Sequence, residues 1–477
     1  MKALIGILIV IGLALVGVAL LRQQTLATDL DQSIQAIVER EGLAPLAAPP
    51  AQDPALVALG QMLFFDKELS GNRDTSCATC HQMDLGTSDG LRLSIGTGGS
   101  GVGPARQLGD NRTFVPRNAL ELYNRGLPEF DTMFWDARVA GSAATGFVTP
   151  AGAYLPNGLD NVLAAQAMFP VTFRDEMRGG WYNIAGYITE PGEIIEKGDY
   201  ADQPAGWNDV DVFGNPNELA GIPNGPENNP AIWEAIMQRL LAIPGYQALF
   251  QQAFPDVPLA ALGFQHAANA IAAFETQAFS LTDSPWDRYL AGDQSAISNT
   301  AKQGALLFFG PAGCATCHSG DLFTDHDFHN LAVPQFGPGR DPIAPLDFGH
   351  YEATLEPADK YTFRTPSLRN VALTAPYFHN GTYTALEDVI NHHLQPEASL
   401  RAFDGRQLPP ELRDSLQNNE VTLVDILATL DPKLDGQTTL TNREIRQIIA
   451  FLQSLTDPAA KDLGHLVPAA VPSGLEP

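Results

Sequence analysis

Two copies of the pentapeptide Cys-x-x-Cys-His carry the most specific chemistry in the sequence. Two thiols at this spacing can form thioethers to the vinyl groups of a porphyrin, and the adjacent imidazole can bind the iron. Alone, Cys-x-x-Cys also serves zinc sites and redox disulfides. Here a histidine follows both times, and the two motifs use all four cysteines of the chain. The sequence therefore predicts two covalently bound haem c groups, held by Cys77, Cys80 and His81 and by Cys314, Cys317 and His318.

Each pentapeptide follows an apolar segment that ends in Leu-Phe-Phe. The first copy is LGQMLFFDKELSGNRDTSCATCH, from Leu59, and the second is QGALLFFGPAGCATCH, from Gln303. Such a repeat indicates internal duplication of one structural unit. The expected fold is mainly α, with two c-type cytochrome domains and, given 36 Pro and 43 Gly, long ordered loops.

The helical patterns and loop-rich segments suggest where the domains begin and end. We expect an N-terminal haem domain at residues 53–290, with a surface insertion at about 181–229, and a C-terminal haem domain at 291–457. Asp53-Pro54 is a typical helix start, a cap followed by proline. Residues 458–477, rich in proline and glycine, are expected to form a loose tail.

The first 52 residues suggest export. Ala3 to Leu21 is an apolar stretch behind Lys2, long enough to cross the hydrocarbon core of a bilayer as a helix. We expect residues 1–24 to be a membrane anchor or a cleaved signal peptide, and the weak cleavage site favours the anchor. Residues 25–52 would form a linker containing a short amphipathic helix. The rest of the chain is then expected in the periplasm, where bacteria attach haem c.

The net charge of the chain limits the classes of molecule that it is expected to bind. With 28 Lys and Arg against 55 Asp and Glu, the formal net charge is −27. This excludes nucleic acid, whose phosphates would be repelled, and favours a basic or neutral partner. A membrane would be contacted only through the N-terminal segment.

Several motifs occur in a fixed order along the chain. They are LGQMLFFD before the first CATCH, PRNA from Pro116, FWDAR from Phe134, LFTDHDFHNL from Leu322 and FRTPSLRNVALTAPYFHNG from Phe363. In these motifs the sequence resembles the bacterial dihaem cytochrome c peroxidases, a superfamily that includes MauG. The resemblance implies an enzyme with two c-type haem domains packed face to face. Hydrogen peroxide would react at the N-terminal haem, and electrons would pass through the C-terminal one.

The resemblance also implies roles for three residues of the N-terminal half. Glu176 matches an acid/base carboxylate beside the peroxidatic iron, and Gln166 a polar neighbour of that carboxylate. Trp135 matches a tryptophan between the two haems that relays electrons. Without the resemblance, Glu176 in its charged RDEM segment would be read as a solvated side chain, and Trp135 as a core aromatic.

A calcium site between the domains is implied in the same way. Asn118, Thr374 and Pro376 match positions that hold this ion, largely through carbonyl oxygens and waters. Oxygen ligands suit a hard cation, although no acidic cluster accompanies these three residues.

One departure from the superfamily lies at the N-terminal haem. Other peroxidases of this group place a loop histidine on the peroxidatic iron until the second haem is reduced. The corresponding SIGTG loop here has Thr97. Because a threonine hydroxyl is a poor iron ligand, we expect this iron to keep an open position in the oxidised protein.

A second departure lies at the C-terminal haem. Thr384 and Glu387 form the pattern of a capping box, which predicts a helix from about residue 385. On that helix His393 falls on the interior face, and His392 turns toward Asp388; the interior face also carries Leu386, Val389 and Ile390. At this position the peroxidases supply Met and MauG supplies Tyr. We expect His393 to be the second iron ligand, with His392 as the reserve candidate.

These observations leave three functions open. The first is a peroxidase that takes electrons from a small cytochrome c or a cupredoxin. The second is a MauG-like enzyme that uses peroxide to oxidise residues of a partner protein, which both departures favour. The third is a dihaem electron carrier without catalysis, in which both irons would be six-coordinate. Homodimers are common in the superfamily and are a further expectation.

Overall fold

The computed structural model describes residues 29–110, 112–180, 210–340, 343–434 and 438–477. Its helices are α1 (residues 29–41), α2 (Pro54–Phe65), α3 (Cys77–Cys80), α4 (Val162–Ala167), α5 (Asn229–Ala242), α6 (Pro244–Ala253), α7 (Phe264–Phe279), α8 (Pro285–Leu290), α9 (Asn299–Phe308), α10 (Tyr351–Thr354), α11 (Leu386–Leu394), α12 (Pro396–Ala402), α13 (Glu420–Leu427) and α14 (Asn442–Ser454). The strands are short: β1 (Thr132–Met133), β2 (Val139–Ser142), β3 (Gly146–Val148), β4 (Phe328–His329) and β5 (Phe363–Arg364). The expectation of a mainly α chain with long loops is confirmed.

The strands form two small antiparallel sheets outside the helical cores. One has the order β1-β2-β3, with Met133 opposite Val139 and Gly141 opposite Phe147. The other pairs β4 with β5. The segment carrying Trp135 therefore lies between the paired strands β1 and β2.

Two helix pairs form the centres of two separate hydrophobic cores. In the first core α2 packs across α7, and in the second α9 packs across α14. Each crossing depends on one glycine at the same place in the repeated sequence. A Cβ on Gly60 would lie 1.9 Å from the carbonyl oxygen of Ala270, and a Cβ on Gly304 would lie 1.9 Å from that of Gln447. The two cores therefore repeat one packing arrangement, as the duplicated sequence suggests.

Replacing Gly304 with Ala is expected to destabilise the second core. Alanine favours an isolated helix over glycine by about 1 kcal/mol, but the new methyl would overlap a backbone oxygen of α14, which cannot move independently. Overpacking of this kind costs about 1–3 kcal/mol, so we expect a net loss of stability, measured by thermal unfolding. Gly221→Ala is the control for the clash, because a Cβ there has no atom within 4 Å and the backbone φ is not positive. An equal or higher melting temperature for Gly304→Ala would contradict the close crossing.

The two ends of the described chain pack against different cores. Ile34 and Ile37 of α1 are buried in the second core, and Asp31 pairs with Lys302 at 2.5 Å. The segment after residue 457 was expected to be loose, and this expectation is wrong. Its apolar side chains enter the first core, and the Ser473 hydroxyl donates to Asp66 at 2.6 Å.

Helix capping follows the sequence at one predicted site and departs from it at another. At α14 the Thr441 hydroxyl accepts from the backbone N–H of Glu444, as a capping box predicts. At α11 the predicted box does not form. The N-cap residue is Ala385, with no side-chain hydrogen bond, and the helix begins at Leu386.

Two sequence predictions fall on residues that are not described. They are the N-terminal anchor or signal peptide, residues 1–24, and residues 181–209 of the insertion. None of the helices in the described ranges combines the length and the apolarity that crossing a bilayer requires.

Candidate active site

The first Cys-x-x-Cys-His motif lines a cavity of about 270 Å³ in the N-terminal half, here called the N-cavity. Its two cysteines lie on the single turn α3, and the backbone N–H of His81 closes that turn by donating to the Cys77 carbonyl at 3.0 Å. The His81 Nδ1 lies 2.9 Å from the Thr87 carbonyl, so Nδ1 carries the proton and Nε2 is the nitrogen left for a metal. Burial lowers the pKa of His81, which keeps the ring neutral as a ligand requires.

The second motif lines a cavity of about 390 Å³ in the C-terminal half, here called the C-cavity. The local geometry repeats that of the first motif. His318 N–H donates to the Cys314 carbonyl at 3.0 Å, and its Nδ1 lies 3.1 Å from the Phe323 carbonyl. Burial lowers the pKa of His318 to about 4. Each motif thus presents two thiols and one neutral, oriented imidazole to a largely apolar cavity, which fits a haem c group.

His393 faces His318 across the C-cavity. Its Nδ1 is held by the Val389 carbonyl at 2.8 Å, which again leaves Nε2 available. The centres of the two rings are 6.4 Å apart. With metal–nitrogen bonds of about 2.0–2.1 Å, two imidazoles that bind one ion from opposite sides have ring centres about 6.4 Å apart. The spacing of the pair therefore fits one metal ion between them.

The orientation predicted for His392 is wrong. The side chain is fully buried, at 0% exposure, and does not turn toward Asp388. Its Nε2 lies 2.7 Å from the Leu331 carbonyl and its Nδ1 3.1 Å from the Tyr383 hydroxyl. Because both nitrogens have protein partners, His392 has none left for a metal.

Glu176 and Gln166 both line the N-cavity. Glu176 lies in a wide turn, Arg174–Arg178, that packs closely against the SIGTG loop, residues 94–98. A Cβ on Gly96 of this loop would lie 2.4 Å from the Glu176 carbonyl oxygen. Burial raises the pKa of Glu176, and the positive charges of Arg138 and Arg340 partly oppose that shift. Gln166 belongs to α4, which Asn161 caps through the Ala164 N–H. The structure therefore brings a carboxyl group and an amide to the cavity of the first motif.

Thr97 is not among the described residues that line the N-cavity. Its hydroxyl donates to Asp74 at 2.8 Å, and the following Gly98 N–H donates to the same carboxylate at 2.6 Å. The backbone N–H of Thr97 donates to the Glu176 carbonyl at 3.0 Å. These hydrogen bonds fix Thr97 away from the N-cavity.

Trp135 lines both cavities. Its Nε1–H donates to the Asn118 carbonyl at 3.0 Å. Asn118 belongs to a short wall segment, residues 118–121, that also faces both cavities. The indole is therefore in the partition between the two sites.

The three residues expected at a calcium site all line the C-cavity. The Asn118 amide donates to the Leu91 carbonyl at 2.7 Å, and the Thr374 hydroxyl donates to the Val371 carbonyl at 3.2 Å. In the described ranges, one group of side chains lies close enough together to hold a metal ion. It consists of Cys317, Asp325 and His329 and is separate from these three residues. Calcium remains a prediction.

Six charged residues that line the N-cavity in the described ranges were not identified from the sequence. They are Arg117, Glu121, Arg125, Arg138, Glu275 and Arg340. Burial alone raises the pKa of Glu275 to about 8. Arg138 stands inside the FWDAR motif, where a charge beside a buried aromatic was an available signal; no such signal marks Arg340.

The chain is similar in sequence to several known proteins. The family model for di-haem cytochrome c peroxidase matches residues 54–203 and 209–295. Methylamine utilization protein MauG of Methylorubrum extorquens is 29% identical over 416 residues, covering 87% of this chain and 82% of that protein. Cytochrome c peroxidase Ccp of Escherichia coli is 28% identical over 380 residues, covering 79% of this chain and 59% of that protein.

Two solved structures share the fold. One is a MauG-like protein associated with microbial copper homeostasis, with a TM-score of 0.55 and 24% identity over 89% of this chain and 96% of that one. The other is the diheme peroxidase BthA from Burkholderia thailandensis, with a TM-score of 0.53 and 20% identity over 90% of this chain and 91% of that one. From its motifs, its paired cavities and these relatives, the chain belongs to the di-haem cytochrome c peroxidase family and is a peroxidase-type oxidoreductase with two haem groups.

Proposed function

We propose that the protein reduces hydrogen peroxide in the N-cavity with electrons that arrive through the C-terminal haem. The observation that carries this proposal is the placement of Glu176 in the cavity of the His81 motif, with Gln166 beside the same space. A dihaem electron carrier would have no use for a buried carboxyl group at that position.

The protein residues would manage the protons of the reaction. When bound, the haem of the N-cavity supplies the redox-active iron. Glu176 accepts a proton from the peroxide oxygen nearest that iron and returns it to the departing oxygen, so that the leaving group is water. Peroxide, two electrons and two protons give two water molecules. The Gln166 amide, without a hydrogen-bond partner among the described residues, can donate to the peroxide and orient it.

Trp135 is the proposed relay between the two sites. Its indole lies in the partition between the cavities, where an oxidisable ring shortens the electron path. Because its Nε1–H donates to the Asn118 carbonyl, and a carbonyl is too weak a base to take that proton, oxidation of the ring need not be coupled to proton loss.

The reaction should depend on pH through Glu176. The carboxylate must be ionised to accept a proton, and burial raises its pKa above the usual 4.5. Activity is therefore expected to fall as the pH is lowered through that raised pKa, at a higher pH than an exposed glutamate would give. In Arg340→Gln, the loss of a nearby positive charge should move the acid limb to still higher pH. The limb is measured as kcat/KM for peroxide; an unmoved limb in the variant would argue for another titrating group.

The direct test of the proposal is steady-state consumption of peroxide by the haem-loaded protein with reduced cytochrome c or a reduced cupredoxin as donor. Catalytic turnover of both reactants in a ratio of two electrons per peroxide supports it. Peroxide binding without turnover of any donor would leave the second candidate.

That second candidate is MauG-like oxidation of residues in a partner protein. Two observations favour it. His393 faces His318 at the spacing of a shared metal ion, and imidazole ligation favours oxidised iron more than a thioether does. The Thr97 hydroxyl is hydrogen-bonded to Asp74 and is therefore unavailable as a haem ligand. The N-terminal iron would then keep an open position and react with peroxide without prior reduction. Reaction of the fully oxidised protein with peroxide, followed optically without reductant, tests this property.

Location and partners belong to the same proposal. The apolar N-terminal segment and the haem c motifs support export to the periplasm, with or without a retained anchor. The net charge of −27 supports a basic or neutral electron donor or protein substrate. His393 as the second ligand of the C-terminal iron, calcium at Asn118, Thr374 and Pro376, and a homodimer are further parts of it.

A further inference from the structure

Four arginines in the described ranges line the N-cavity. Arg117 and Arg125 are buried in ion pairs, whereas Arg138 and Arg340 keep accessible surface. Arg138 is deep in the fold, yet 23% of its side chain remains accessible, which places that surface toward the cavity. Its Nη1 donates to both oxygens of Asp136, at 3.0 and 3.2 Å, and its guanidinium lies 3.5 Å above the Phe134 ring centre. Within the described part of the chain, its Nε and Nη2 have no partner. One edge of this guanidinium is fixed and the other is free.

Arg340 approaches the same cavity from the other half of the chain, and among the described residues one of its three guanidinium nitrogens is left free. Its Nη1 donates to Asp136 at 3.2 Å, its Nε lies 2.9 Å from Glu352, and 22% of the side chain is accessible. Its Nη2 has no partner in the ranges that the structure describes. Asp136, only 1% exposed, thus forms ion pairs with both arginines on the side away from the cavity.

Three arginines converge on the single carboxylate of Asp136. A third arginine, Arg117, also pairs with Asp136, at 2.6 Å, and with Asp347. These arginines hold the pKa of Asp136 far below its usual range, so it is ionised, whereas burial raises the pKa of Glu352. Burial also lowers the pKa of Arg138 to about 10 despite its bond to Asp136. Asp136 is thus shared by three guanidinium groups, and a buried cation that shares its partner is stabilised by a further anion.

We propose that Arg138 and Arg340 bind the two propionate carboxylates of the N-terminal haem. The Nε–Nη2 edge of Arg138 has the fork geometry that binds a carboxylate, and the free Nη2 group of Arg340 can donate to the second propionate. Propionates lie on the porphyrin edge opposite the vinyl groups that join the cysteines. Cys77 packs against the first hydrophobic core. Both arginines are held by Asp136, which directly follows Trp135 in the partition between the cavities.

The consequence is a haem site assembled from both halves. Arg138 lies three residues after Trp135, so the propionate edge would be fixed beside the proposed relay. Arg340 reaches the N-cavity from 204 residues beyond Asp136. This inference rests on the two haem groups and not on the peroxide reaction.

The test measures the propionates themselves. Haem-loaded protein is produced with carbon-13 in the propionate carboxyl groups, and infrared difference spectra are recorded across the redox transition of each haem. In Arg138→Gln and Arg340→Gln, we expect the labelled carboxylate bands of the N-terminal haem to shift and its midpoint potential to fall, because a cation that stabilises the reduced form is lost. The bands and potential of the C-terminal haem should not change.

Arg106→Gln is the matched control. Arg106 is a buried cation that acts on Cys80 of the same motif, but its guanidinium already donates to the carbonyls of Ile95, Gly96 and Gly101 and does not line the cavity. Its loss should leave the carboxylate bands unmoved. If a Gln variant fails to mature, Arg138→Lys and Arg340→Lys keep the charge and should still shift the bands, with a nearly unchanged potential. Unshifted bands in fully loaded Arg138 and Arg340 variants would overturn the inference.

Discussion

Replacing Glu176 with Gln is expected to lower kcat for peroxide reduction by about 10²–10⁴, the usual contribution of a positioned acid/base group. Glutamine keeps the size of the side chain and its place in the cavity, but it cannot accept the peroxide proton. Haem content and the absorption of the C-terminal haem should be unchanged. The measurement is the initial rate of peroxide consumption at saturating electron donor, normalised to haem.

Asp175→Asn is the control for this experiment. Asp175 neighbours Glu176 in the same turn, but its carboxylate pairs with Arg174 at 3.0 Å and does not line the cavity. Its loss tests whether the turn merely needs its charges, and we expect a rate within a few-fold of the wild type. If Glu176→Gln were equally mild, Glu176 would be a solvated side chain with no part in the proton transfer.

The duplicated fold could be predicted because its determinants are local in sequence. The Gly-x-x-Leu-Phe-Phe segment and the pentapeptide recur together, and the structure gives Gly60 and Gly304 the same close helix crossing. The packing of the tail could not be predicted in this way. The hydrogen bond of Ser473 to Asp66 joins residues far apart in the sequence, and composition alone suggested a loose segment.

The site shows the same limit. The position of His393 on the cavity side of α11 followed from helical periodicity, since Val389 and Ile390 line the same C-cavity. His392 was misjudged because the end of α11 is enclosed on a second side, by the Leu331 backbone and Tyr383, and periodicity registers one buried face only. Arg340 reaches the N-cavity through a loop whose docking depends on contacts between the two halves, which no local pattern encodes.

Replacing His393 with Met is expected to raise the midpoint potential of the C-terminal haem by a large part of the roughly 0.8 V range that axial ligands span. A thioether stabilises ferrous iron, whereas imidazole favours the ferric state. The ring spacing of 6.4 Å between His318 and His393 is the basis for this expectation. Spectroelectrochemical titration of the purified protein measures it, with the N-terminal haem as internal reference.

His392→Gln is the matched control, because His392 is the adjacent residue and is more deeply buried. Its partners are Leu331 and Tyr383, so its loss should lower stability but leave the C-terminal haem potential near the wild-type value. The opposite pattern, a shifted potential of the C-terminal haem in His392→Gln and none in His393→Met, would make His392 the ligand.

If His393→Met raises the potential as expected, the variant should also hold its electron more tightly. It would then react with peroxide as a reductant-dependent peroxidase and lose the capacity to oxidise a partner protein, which links the ligand at this single position to the choice between the two candidate functions.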